Sequence, residues 1–293
     1  MSEIPLTKVR HSLLLAKNIS LQLLREDLNH PLVGGNKWRK LKYNLVEAEK
    51  IGSVVSLGGV YSNHLYALSA LCKAHNLKCV ALVRENDIQT NPTLDFIRDQ
   101  GTEIRFIDRT TFRKYRQDSE LVESIFPKHY FIPEGGSNHL ALKGCEEIGP
   151  LIPEGIDVVT APVGTGHTVA GIINSVSESV EVIGFPAVKE NYLNESIRNL
   201  LSDAEGRNWR LERGYHLGGI GEYHTEYIGF LNQFYLETKV RLDPIYNGKM
   251  LYGLFQMISN NTFAEGINIV AVVTGGQQGI EGFNHRFPSL LKY

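Results

Sequence analysis

A chain of 293 residues, 42% apolar, with 30 Lys plus Arg set against 32 Asp plus Glu, can bury a large core in one big domain or two intertwined lobes. Its formal net charge of -2 and the lack of a basic block argue against nucleic acid, and no apolar run approaches the roughly 20 residues of a membrane-spanning helix. The polar segment Met1–Arg10 reads as neither secretory signal nor transit peptide. Cys72, Cys79 and Cys145 lack metal or C-x-x-C spacing and read as buried residues of a cytoplasmic protein.

In chain order, a helix is predicted over Asn36–Lys50, entered from Gly34-Gly35 and stopped by Gly52. The apolar run Val54–Leu57 predicts a strand that ends at Gly58-Gly59 and leads into a helix over Ser62–His75, stopped by Asn76. A strand over Cys79–Val83, a helix over Pro92–Gln100 closed by Gly101, and a strand over Ile104–Ile107 follow. Beyond a break at Phe126-Pro127 and a turn at Pro133-Glu134-Gly135-Gly136 come a helix over Asn138–Ile148, a strand over Val158–Ala161, a helix over Thr168–Val176 and a strand over Val182–Phe185. Helices over Glu222–Thr238 and Gly248–Ser259 precede a last strand, Ile269–Val273. Strands without polar alternation, separated by helical segments, predict an α/β fold whose mainly parallel sheets are covered on both faces. The βαβαβ block from about Val54 to Ile107 marks a smaller lobe, residues 51–127, set within a larger lobe of residues 1–50 plus 128–293.

Three segments carry chemistry. The strand ending at Ala161 runs through Pro162 into Gly164-Thr165-Gly166-His167-Thr168 and a helix, which aims unpaired N–H groups and the positive helix end at one point. A dinucleotide fingerprint needs a third glycine where Val169 stands and an acid after the next strand, where Pro186 and Ala187 stand, so a monophosphate is preferred to a dinucleotide. The bland alternative is a tight strand-to-helix turn.

Lys37, in Gly34-Gly35-Asn36-Lys37-Trp38-Arg39-Lys40, sits in the first turn of a helix, where its charge opposes the helix dipole. A helix N-terminus inside a closed cleft disfavours an ammonium and lowers the lysine pKa towards the range useful for imine chemistry. Lys40 is the alternative carrier of the imine. Ser62 and Asn63 open the next helix after Gly58-Gly59; they read either as caps or as a carboxylate site built from the N–H groups of Ser62, Asn63 and His64, and both readings can hold together. A lysine, a hydroxyl and amide pair and a phosphate cup are the parts needed to hold pyridoxal 5'-phosphate (PLP) as an imine. Asp243-Pro244-Ile245-Tyr246-Asn247-Gly248-Lys249 adds a tyrosine and an amide at a helix entry, and Thr274-Gly275-Gly276 follows the last strand.

Through GGNKWRKLKYNL, GGVYSNH, PEGGSNHLALKG, APVGTGHTVAG, LDPIYNGK and VVTGG, in that order, the chain resembles the 1-aminocyclopropane-1-carboxylate deaminase and D-cysteine desulfhydrase family. The resemblance implies a two-lobed, three-layer, open twisted α/β fold of PLP-dependent fold type II, similar to tryptophan synthase β, and a homodimer. It implies PLP as cofactor, with the larger lobe binding PLP and the smaller lobe on the substrate side. Lys37 would carry the imine, with Ser62 and Tyr246 completing the catalytic set. Asn63, Gly164, Thr165, Gly166, His167, Thr168 and Asn247 would contact the cofactor, and Ser62, Asn63, His64 and Tyr246 the substrate; no metal is implied.

The chain departs from the ring-opening members at two positions. Asn247 stands where they carry a glutamate facing the pyridine nitrogen, and Ile220 where they carry an upstream tyrosine, with Tyr223 near enough to substitute if the loop shifts. An amide cannot hold a pyridinium as a carboxylate does. The reaction then expected of this lyase, deaminase or hydrolase is α-proton removal and β-elimination from a small amino acid, releasing ammonia and a 2-oxo acid. The alternatives are cyclopropane ring opening and a PLP-binding homologue without turnover.

Overall fold

The computed structural model describes residues 4–31, 33–85, 87, 90–189 and 191–293; residues 1–3 of the polar N-terminal segment lie outside it. Ten strands lie in these residues: β1 (Leu6–Lys8), β2 (Ser20–Leu24), β3 (Ser53–Gly59), β4 (Lys78–Arg84), β5 (Glu103–Ile107), β6 (Tyr130–Ile132), β7 (Val158–Val163), β8 (Glu181–Pro186), β9 (Trp209–Leu211) and β10 (Asn268–Val272). The helices are α1 (Ser12–Ala16), α2 (Asn36–Ile51), α3 (Asn63–Ala74), α4 (Pro92–Asp99), α5 (Arg109–Gln117), α6 (Ser119–Ile125), α7 (His139–Glu146), α8 (His167–Ser175), α9 (Leu193–Arg198), α10 (Thr225–Thr238), α11 (Asn247–Ser259) and α12 (Gln277–Arg286). Every predicted strand and helix is present, and the three expected stops, Gly52, Asn76 and Gly101, take the left-handed conformation that ends a helix.

The chain divides into two compact units, one of residues 1–29, 34–36 and 145–293 and one of residues 30–33 and 37–144. The smaller unit holds an all-parallel sheet in the order β5-β4-β3-β6. Neighbouring residues of β3 face opposite ways: Val54 packs with Leu41, Leu45 and Ala48 of α2 and Leu68 and Leu71 of α3, whereas Val55 and Leu57 pack with Phe112 of α5 and Val122 of α6. That two-sided burial explains the apolar, non-alternating strand sequence. It also places α2 from Lys37 onward, and residues 128–144, in the smaller unit, although the sequence reading set them in the larger lobe.

The larger unit holds the order β1-β2-β10-β7-β8-β9, parallel except for the antiparallel β1–β2 pair. Its core joins Leu21 and Leu23 of β2, Ile183 and Phe185 of β8 and Ile269 and Ala271 of β10 to Tyr227, Leu231 and Phe234 of α10 and Met250, Leu251 and Leu254 of α11. The turns at the carboxyl ends of β3, β7 and β10 in the two sheets lead to residues 62–64, 164–168 and 274–276, whereas Lys37 lies in α2 and Tyr246 and Asn247 at the start of α11. All three cysteines are buried and none forms a disulfide.

Candidate functional site

The residues singled out in the sequence fall into two groups, one in each unit. Lys37, Lys40, Ser62, Asn63 and His64 belong to the smaller unit, and Gly164 to Thr168, Tyr246 and Asn247 to the larger.

In the smaller unit Lys37 is the second residue of α2, in the first turn expected from the sequence, and is half-buried. Lys40 is buried, and its Nζ donates to the Gly135 carbonyl at 3.2 Å. Near the end of β3, a side chain on Gly58 would meet Ser62 Oγ at 2.5 Å, and the chain turns just beyond the strand. Ser62 caps α3: its Oγ accepts from the Leu65 N–H at 3.2 Å, and its own N–H donates to the Gly59 carbonyl. The Ser62 N–H is therefore engaged within the turn and is not part of the expected carboxylate site.

His64 is only 2% exposed, and its tautomer follows from its partners. Ser56 Oγ donates its single proton to the Ile132 carbonyl at 2.6 Å, so at 2.8 Å it must accept from His64 Nε2–H. Nδ1 is then the aprotic nitrogen, buried without a hydrogen-bond partner. A side chain on Gly136 would stand 3.5 Å from it. Burial first, and then the charges of Lys37 and Lys40, hold the His64 pKa well below its ordinary value, so the ring is neutral. The link from β6 through Ser56 of β3 to the first turn of α3 was not apparent in the sequence, which shows a serine in a strand but not its partners.

In the larger unit β7 ends at Val163, and Gly164-Thr165-Gly166 turns into α8, with Gly166 at φ 91°. No side chain caps that helix start, the arrangement in which a helix N-terminus can take an anion. Thr168 is buried, and its Oγ accepts from Asn36 Nδ2 at 3.0 Å while its own proton remains for an anion. Asn36, the residue before Lys37, thus braces the start of α8, a link that the sequence reading did not draw. Its own N–H is held by the Thr274 carbonyl at 3.0 Å. Tyr246 lies over the turn, its Cε1 3.3 Å from where a side chain on Gly164 would stand.

Asn247 corrects an expectation. Its Nδ2 donates to Asp243 Oδ2 at 2.5 Å and to the Gly275 carbonyl at 2.7 Å, while its Oδ1 accepts from Thr274 N–H at 2.8 Å and Thr274 Oγ1 at 3.2 Å. All four hydrogen-bonding capacities of the amide are used within the framework, so none is left for a pyridine nitrogen. Asp243, missed in the sequence, also accepts from the N–H groups of Ile245, Tyr246 and Asn247 at the start of α11. Burial nonetheless raises its pKa, because the desolvation of the carboxylate outweighs these bonds. Its Asp-Pro turn four residues before Asn247 was the available signal.

Ile220 is 57% exposed, whereas Tyr223 packs edge-on against Phe283 and Phe287, with ring centroids 5.4 and 4.9 Å away. That tyrosine is part of an aromatic cluster of the larger unit.

An uncapped glycine-rich helix start with a threonine hydroxyl suits a phosphate monoester, and a half-buried first-turn lysine suits an aldehyde, so the residues present fit pyridoxal phosphate. Among the described residues no group of His, Cys, Asp and Glu could hold a metal ion, and no helix is long and apolar enough to cross a membrane.

The comparisons agree with this. A protein of Cryptococcus neoformans described as a probable 1-aminocyclopropane-1-carboxylate deaminase is 28% identical, the alignment covering 94% of this chain and 90% of the relative. The mitochondrial bifunctional D-cysteine desulfhydrase/1-aminocyclopropane-1-carboxylate deaminase of Arabidopsis thaliana is 26% identical over 94% of this chain and 77% of its own. A crystal structure of an ACC deaminase homologue superposes with a TM-score of 0.83 at 24% identity, covering 99% of this chain and 94% of that one, and establishes the fold. These relatives support a lyase or deaminase; a hydrolase class draws no support from them. The family model described as pyridoxal-phosphate dependent enzyme matches residues 3–275, and with the phosphate turn and the first-turn lysine in place the chain belongs to that family as a PLP-dependent deaminase or lyase.

Proposed function

We propose that the protein removes the α-proton of a small amino acid, D-cysteine or a related β-substituted D-amino acid, and expels the β-substituent, and that water then hydrolyses the released enamine to ammonia and a 2-oxo acid. Bound PLP supplies the electron sink that makes the α-proton acidic. The rest falls to the chain. Lys37 Nζ would hold the cofactor and, near the substrate's α-carbon, would take the α-proton. The Asn63 and His64 N–H groups and the Ser62 hydroxyl hold the substrate carboxylate at the positive end of α3. Asn63 also steadies the cofactor's phenolic oxygen, and Gly164, Thr165, Gly166, His167 and Thr168 take the phosphate. Tyr246, over Gly164, closes the substrate side against water.

The observation that carries elimination over ring opening is the packing of Tyr223 against Phe283 and Phe287, together with an aliphatic Ile220. The Tyr223 ring is then committed to that cluster, and Ile220 has no hydroxyl to assist cleavage of a cyclopropane. The relatives' names favour 1-aminocyclopropane-1-carboxylate as the second reading. Release of ammonia and 2-oxo acid from D- and L-cysteine, β-chloro-D-alanine and 1-aminocyclopropane-1-carboxylate decides: faster turnover of the cyclopropane refutes the proposal. Borohydride reduction of the holoenzyme and peptide mapping should label Lys37, and a label on Lys40 would overturn that assignment. A homodimer in the cytoplasm is part of the same proposal, to be checked by light scattering and by fractionation.

A further inference from the structure

Lys249, in the first turn of α11, is 2% exposed, and its side chain runs to the loop between β9 and α10. Its Nζ donates to the His216 carbonyl at 2.8 Å and the Gly219 carbonyl at 2.5 Å. These are the leading carbonyls of two successive turns: Gly219 N–H closes on His216 O at 3.0 Å, and Glu222 N–H on Gly219 O at 3.3 Å. Each carbonyl therefore accepts from its own turn and from the ammonium. Leu217, Gly218, Gly219 and Gly221 all have positive φ, from 56° to 133°, a series of left-handed residues that turns both carbonyls the same way. Leu217 is the costly member, because a branched side chain disfavours that region.

The loop is pinned by packing at its ends. Tyr215 lies against Phe185, ring centroids 6.2 Å apart, and Tyr223 against Phe283 and Phe287. Between them Lys249 supplies the cation that joins the turns. Burial lowers its pKa to about 8, opposed by the charges of Glu222 and Asp243, so that at neutral pH it is mainly an ammonium. His216, also on the loop, has its pKa lowered by burial and by the charges of Lys189 and Lys249, and its Nδ1 accepts from Gly218 N–H at 2.9 Å.

We propose that Lys249 is a positioning residue for the reaction: by holding the His216 and Gly219 carbonyls it folds residues 216–222 into the two turns that set Ile220 as the aliphatic boundary of the substrate side. The placement of Ile220 rests on the functional reading above; the knotting of the turns by the ammonium does not.

The test uses Lys249→Ala, with Lys249→Met as the volume-preserving companion should the alanine protein fail to fold. Hydrogen exchange of the Gly219 and Glu222 amides, measured on the cofactor-free and loaded proteins, should quicken at least about tenfold, the factor for one lost hydrogen bond. Methylammonium chloride should restore protection in Lys249→Ala, and tetramethylammonium chloride, which has no N–H, should not. With β-chloro-D-alanine KM should rise about tenfold with kcat within a factor of about three, as when a substrate boundary loosens while the reacting groups stay in place. Unchanged exchange, or rescue by tetramethylammonium, overturns the role of the ammonium. Quickened exchange with unchanged KM overturns its link to substrate. If wild type does not turn over β-chloro-D-alanine at all, the functional reading fails, while exchange and rescue still decide whether Lys249 knots the loop.

Discussion

Asn247→Asp probes the framework beneath the larger unit's site with almost no change in shape. The substitution puts an oxygen where Nδ2 stands, 2.5 Å from Asp243 Oδ2 and 2.7 Å from the Gly275 carbonyl. Two buried carboxylates at that distance cannot both ionise, so the pair keeps one proton that the unfolded chain gives up near its ordinary aspartate pKa. Holding that proton at about pH 7 costs roughly 4 kcal/mol, at about 1.4 kcal/mol per pH unit above a reference of about 3.9. The proton restores one of the two lost donors, and the bond not remade adds about 1 kcal/mol. The sum is about 5 kcal/mol at about pH 7, falling to about 2.5 at about pH 5, because a carboxyl whose folded pKa is raised loses stability as pH rises. Urea denaturation of both cofactor-free proteins across that range, followed by circular dichroism, measures the difference. A penalty below about 1 kcal/mol that does not change with pH would refute the hydrogen-bond assignment of Asn247.

Three other outcomes are expected. Lys249→Met removes a buried ammonium whose folded pKa, about 8, lies below its ordinary 10.5. The cost of burying the charge is present below the folded pKa and relieved above it, so from about pH 8 to 10.5 wild type should gain up to about 3 kcal/mol relative to the variant; chemical denaturation with no such gain would contradict the burial of the charge. Ser56→Ala leaves His64 Nε2–H without its acceptor and should cost about 1–3 kcal/mol, with the imidazole still neutral at about pH 6 by nitrogen-15 chemical shift; a ring that titrates there would contradict the assigned environment. Gly164→Ala sets a methyl 3.3 Å from the Tyr246 ring, tighter than an ordinary contact. PLP affinity should drop about tenfold or more with stability within about 1 kcal/mol of wild type, and unchanged affinity would separate Gly164 from the phosphate.

What the sequence disclosed follows from how each element is buried. Strands β3, β4, β7, β8 and β10 are covered on both faces and appear as short apolar runs. Strands β1, β6 and β9 have three residues each, too few for a pattern, and β2, Ser20-Leu21-Gln22-Leu23-Leu24, reads equally well as a helical turn. Helices α5 and α6 were missed because Phe112 and Val122 are the buried residue of each, so no apolar stripe marks them. In the site, local chemistry was legible: glycines before a helix start, a lysine in a first turn, a serine at a cap. Pairings were not. Asn36 with Thr168, Ser56 with His64 and Asp243 with Asn247 depend on which side chains folding brings together, and composition and periodicity do not encode that.

The interleaving of the two units in sequence sets an order on synthesis. The ribosome has delivered every strand of the smaller sheet by Ile132, but β10, which lies between β2 and β7, begins only at Asn268. The smaller unit can close while the chain is still being made. Strand β2, with Leu21 and Leu23 destined for the core, must wait through most of translation for the neighbour that covers its edge. A nascent chain stalled after Ser259 would therefore carry a finished small sheet and a large one split at its centre, a form that holdase chaperones should retain and proteases should trim back to about residue 144.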